Sequence, residues 1–161
     1  MEITGRTGPL FLLERPHVMH SGTPRHLVGS WRLVSYRLTG SDAAYPLGKD
    51  AHGLIIYTDD GHMSVQISAP GRSAYTDGEV HGGTGAEQAE AARGYLAYAG
   101  TYTVTDDIVE HHVEHSLFPN WENTVLPRQA TLDENHRLHL KLVKPVIVDG
   151  QERGGVLTWE R

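Results

Sequence analysis

Residues 111–121, HHVEHSLFPNW, set His111, Glu114 and His115 in the spacing H-x-x-E-H. On a helix, that spacing brings two imidazoles and a carboxylate to one side, where they could hold a zinc ion and a water-activating base. The chemistry depends on the element beneath it. On a strand, His111 and His115 share a face but stand about 13 Å apart at ~3.3 Å per residue, too far for one metal ion. The flanks favour the strand: TYTVTDDIVE upstream is crowded with β-branched residues around a turn, and Pro119 ends any helix downstream. No metal site is therefore expected.

A strand offers different chemistry. Val109, His111, Val113, His115 and Leu117 fall on one face, Glu110, His112, Glu114 and Ser116 on the other. The first set carries the apolar residues and should face an interior. A two-residue turn at Asp106-Asp107 pairs Tyr102 and Gly100 with His111 and Val113, and puts Tyr98 and Val104 on the same wall. In an acid/base enzyme, His111 would be the general base or acid and His115 its partner or orienter, with Tyr98 and Tyr102 holding a carbonyl oxygen. Tyr57, Met63 and Trp121 would shape a cavity or its rim, and Asn120 could place a hydrogen bond near its mouth. If the faces are inverted, His112, Glu114 and Ser116 become the acid/base set. The plainer alternative is a filled core whose polar side chains satisfy one another.

The elements that must position these residues are mostly strands. LVGSWRLVSYRL alternates with period two, Trp31, Leu33 and Ser35 against Arg32, Val34 and Tyr36. GLIIYTDDGHMSVQIS reads as a hairpin turning at Asp59-Asp60, where Gly61 can adopt positive φ; Leu54, Ile56, Met63, Val65 and Ile67 are expected inside. Residues 69–84 are glycine-rich and read as a loop. Thr84, three residues before Glu87, has capping-box spacing and opens a helix ending near Gly94. RQATLDENHRLHLKLV and GGVLTWER supply further strands. Seven to nine short strands with one short helix near a barrel mouth predict an all-β, antiparallel barrel.

Composition narrows the partners. Over 161 residues, 14 Lys+Arg face 20 Asp+Glu, a net charge of −6, with no basic run, so no nucleic-acid partner is expected. Cysteine is absent, which removes disulfides and thiolate chemistry. The early apolar knot LFLL, residues 10–13, is too short for a signal core or a membrane span. A cytoplasmic protein without a membrane partner is expected. Residues 1–25 read as an N-terminal extension and 26–161 as the barrel domain; a homodimer stays open.

Several of these stretches together resemble a known family. Gly29-Ser30-Trp31 is similar to the G-x-W signature of lipocalins, whose tryptophan plugs the closed barrel end beneath an arginine from the last strand; Arg161 is the matching candidate. LVGSWRLVSY, PLGKDAHGLIIYTDDGHMSVQI, YLAYAGTYTV and HHVEHSLFPNW resemble the bacterial and fungal lipocalin-like domain family, often found beside natural-product and catabolic genes. The resemblance spans about residues 27–161 and implies a lipocalin-like barrel with a ligand cavity, but no shared catalytic set. His62 stands where an aromatic is usual and His115 where a Val-like residue is usual. The expectation drawn from residues and resemblance together is a cofactor-free isomerase, cyclase or dehydratase acting on a small apolar metabolite of polyketide or terpenoid type. The alternative is a non-catalytic small-molecule carrier. A haem held by one barrel histidine would rest on histidine supply alone.

Overall fold

The computed structural model describes residues 26–40 and 44–161. The extension expected over residues 1–25 lies outside the described residues. Nine strands run in chain order: β1 Gly29–Thr39, β2 His52–Tyr57, β3 His62–Ser68, β4 Tyr95–Thr105, β5 Ile108–Ser116, β6 Val125–Leu132, β7 Leu138–Leu142, β8 Val146–Val148 and β9 Gln151–Glu160. Each pairs antiparallel with its neighbour in the order β1-β2-β3-β4-β5-β6-β7-β9, and β1 pairs with β9 to close the barrel. The short β8 adds only to β9. Closure leaves eight strands without a free edge, and a barrel of that size has an interior just wide enough to be filled by side chains or to hold one small ligand. Among the described residues no helix is long and apolar enough to cross a membrane.

Helix α1, Gly85–Arg93, forms where its cap predicts. Thr84 accepts from the Glu87 amide while the Glu87 carboxylate accepts from the Thr84 amide at 2.7 Å. The same carboxylate takes the Thr76 amide and hydroxyl, at 2.9 and 2.7 Å, and so ties the preceding loop to the helix. These bonds, that from the Thr84 amide foremost, hold the Glu87 carboxyl down at about 2.

The H-x-x-E-H stretch is strand β5, and β4 pairs with it as the turn at Asp106-Asp107 requires, Tyr102 opposite His111 and Gly100 opposite Val113. Val109, His111 and Val113 are buried, but His115 is exposed. A β-bulge is the reason. Ala99 pairs with His115 and Gly100 with Val113, leaving Glu114 unpaired, so the alternation slips by one and the half-buried Ser116 takes the inward parity. The bulged backbone crowds Gly100: a Cβ there would lie 2.0 Å from the His112 carbonyl oxygen.

Two other faces differ from the sequence pattern for related reasons. In β1 the register with β9 shifts between Leu33 and Ser35, which turns Tyr36 and Leu38 inward after Trp31. In the β2–β3 hairpin Met63, Val65 and Ile67 are buried as expected, whereas Leu54 and Ile56 are not the buried residues of β2; Ile55 and Tyr57 are. The turn holds three residues rather than two, with Thr58 bonded to the His62 carbonyl and Gly61 at φ 88°. Tyr57 therefore faces Met63, and Ile55 faces Val65.

Candidate binding site

The barrel has unlike ends. At one, Trp31 is buried, its Nε1 donates to the Leu27 carbonyl at 2.9 Å, and the Arg161 guanidinium stacks 4.1 Å over its ring. Arg161 also donates to the His26 and Val28 carbonyls at 2.9 and 2.7 Å. A polar hollow of about 670 Å³ lies outside this plug. Its Arg137 and Arg161 are already engaged, Arg137 with Glu160 at 3.1 Å, so its size does not mark it as a ligand site.

The other end is open. A pocket of about 440 Å³ is ringed by Pro46 and Leu47 from the β1–β2 connection, Arg93 from α1, Phe118 and Trp121 beyond β5, and Ile147 from β8. Leu117, Phe118 and Ile147 are exposed around it, and clustered apolar exposure of this kind marks binding surfaces. Trp121 stands in a single 3₁₀ turn, Pro119–Trp121, with its ring edge-on to Phe118 and to Tyr98.

Beneath the mouth is an inner cavity of about 20 Å³ that shares Tyr36, Leu96, Trp121 and Val146 with it. That volume admits about one water molecule. Tyr98, Arg128 and Trp159 stand in its wall. His111, wholly buried, lies behind them, with Tyr57 Oη 2.7 Å from Nε2 and Tyr98 Oη 2.9 Å from Nδ1. Burial, and then the nearby Arg128 and His112, hold the imidazole well below its ordinary pKa, so it is neutral. Burial likewise pushes both phenols up, Tyr57 strongly; for Tyr98 the charge and hydrogen bond of Arg128 pull the other way.

A neutral imidazole offers one N–H and one acceptor. His111 therefore donates to one of the Tyr57 and Tyr98 hydroxyls and accepts from the other.

Residues 28–161 match the family described as the lipocalin-like domain. The chain belongs to that family. Over 107 residues it is 36% identical to a 4'-hydroxy-3'-methoxypropiophenone carrier protein from Aspergillus oryzae, covering 62% of this chain and 96% of the relative.

In this lipocalin-like barrel the sequence-derived site residues separate into three groups. His111, Tyr98 and Tyr57 come together inside. Tyr102 is buried beside them, but its hydroxyl donates to the Thr58 carbonyl at 2.7 Å, while its ring packs edge-on against Tyr57. Met63 is buried in the core, and Trp121 stands at the mouth. The others face outward: His115 and Glu114 are exposed, Asn120 is exposed, and His112 is half-buried against Thr103 Oγ1 at 3.0 Å. The sequence reading missed Arg128 and Trp159. Leu126, Arg128 and Ala130 share one parity in β6, so an arginine inside an apolar row was the available signal.

Proposed function

We propose that this barrel binds and carries a small, mostly apolar molecule bearing an oxygen function. Its body occupies the mouth, and its oxygen points toward Tyr98, Arg128 and Trp159. The observation that carries this reading is the apolar mouth pocket of about 440 Å³ next to a small cavity whose mostly apolar wall includes Tyr98, Arg128 and Trp159. Small-ligand sites have this make-up, an apolar wall with a few convergent polar groups. The name of the Aspergillus relative, which describes an aryl ketone, supports it. Carriage is favoured over catalysis because both ring nitrogens of His111 are occupied and the imidazole lines neither space. A general base must reach the proton it removes.

The test is titration with 4'-hydroxy-3'-methoxypropiophenone followed by tryptophan fluorescence, with recovery of the ligand by chromatography. Saturable binding and unchanged ligand are expected; absence of saturable binding by this and other small aryl ketones overturns the reading. One observation favours a second, catalytic reading: Tyr57, His111 and Tyr98 form a hydrogen-bonded chain, and Tyr98 stands in the cavity wall. Tyr98 would then be the acid of an isomerase, cyclase or dehydratase. Turnover of a candidate metabolite that falls about 10²- to 10⁴-fold in His111→Gln, with the fold intact, would establish that reading.

A further inference from the structure

Trp159 is fully buried and lines the inner cavity, yet its Nε1–H has no hydrogen-bond acceptor among the described residues. Such an orphan is uncommon in a folded protein and calls for an explanation. Arg128 presents a second anomaly in the same wall. It is 5% exposed, and no carboxylate among the described residues lies within ion-pair distance of it. Its Nη1 donates to the Pro127 carbonyl at 3.0 Å, which carries no charge. His111 and Tyr57 behind it are neutral, so nothing described in this wall offsets the cation. A buried guanidinium without a counter-charge is costly, and so is a buried N–H without an acceptor.

We propose that the inner cavity is a recognition site for an anionic oxygen, a carboxylate or an ionised enol or phenol, at one end of an otherwise apolar ligand. Arg128 supplies the charge, and the Trp159 Nε1–H, without an acceptor among the described residues, supplies a donor. A cation and an unsatisfied N–H suit a group that only accepts. The cavity's size agrees: about 20 Å³ takes one oxygen in place of a water molecule but no ring, so the body of the ligand stays in the mouth. The proposal rests on the binding reading above and adds to it the charge of the ligand.

Three probes of like size separate the two claims at pH 7.5: 4-phenylbutyrate, 4-phenylbutan-2-one and 4-phenylbutan-1-ol, each displacing a fluorescent naphthalene dye. The carboxylate is expected to bind at least about ten-fold tighter than the ketone or alcohol, the worth of one charge-assisted hydrogen bond. In Arg128→Met that preference should vanish, and the melting temperature should hold or rise, because an unpaired buried charge has gone. A purely structural arginine would instead lower the melting temperature. Trp159→Phe removes the orphan donor with little loss of volume and should weaken the carboxylate and the ketone more than the alcohol, which keeps the proposal testable should Arg128→Met not fold. Equal affinity for all three probes would overturn the anion site while leaving carriage intact. Failure of all three to bind would overturn both.

Discussion

Trp31 and Trp159 are both buried in the barrel, but the structure treats them differently. Trp31 has an acceptor for its N–H, a cation over its ring, and in Arg161 a partner that ties the last strand back to the start of the first. Trp159 has no acceptor among the described residues, and an arginine with no counter-charge among them shares its cavity wall. The plug end is built like a finished interior, whereas the cavity and mouth keep an open donor and exposed apolar side chains. Stability should therefore be concentrated at the plug and ligand response at the mouth, as expected where binding sites retain features a purely structural core would remove.

The largest effect should come from Trp31→Ala. Truncating a large buried aromatic costs about 3–5 kcal/mol, and here the stacked guanidinium also loses its ring. A melting temperature lower by on the order of 10 °C is expected; a drop of only a degree or two would mean that the plug does not hold the barrel. Next is Gly100→Ala, whose Cβ would lie 2.0 Å from the His112 carbonyl oxygen and force the bulge to move. Overpacking of this kind costs about 1–3 kcal/mol, read as a lower urea midpoint. Insensitivity to the change would show that the bulge at Glu114 gives way easily.

A third comparison uses pH. In the folded barrel His111 stays neutral where the unfolded chain's imidazole takes up a proton, below about pH 6.5. The unfolded state then binds the extra proton. Stability falls as pH drops below that value, by at most about 1.4 kcal/mol per pH unit from this residue. The lowered carboxyls of Asp60, Glu87 and Asp133 lose their contribution only further into acid. His111→Gln should flatten the slope between about pH 6.5 and 5, and an unchanged slope would place its origin elsewhere. The smallest effect on folding is expected at the rim. Ile147 is 67% exposed, so Ile147→Asp should change stability by no more than about 0.5 kcal/mol. It should nonetheless weaken binding of an apolar probe; loss of stability without loss of binding would reverse the division between plug and mouth.

The amino-acid sequence by itself determined most of the architecture, because its signals are local. Alternation marks β4 and β5, Asp106-Asp107 marks their turn, Thr84 with Glu87 marks α1, and Gly29-Ser30-Trp31 with Arg161 marks the plug. It also placed His111 inside with Tyr98 and Tyr102 on the neighbouring strand. What it did not determine was which residues change face part-way along a strand. His115 points out and Tyr36 points in because β5 is bulged against β4, and β1 against β9, by one residue. Ile55 and Tyr57 replace Leu54 and Ile56 because Gly61 belongs to the turn. A bulge is a mismatch between two strands and leaves the period of either one unaltered until they pair. The meeting of Arg128, Tyr98 and Trp159 was likewise decided by tertiary structure, since three strands far apart in the chain face one cavity only after the barrel closes.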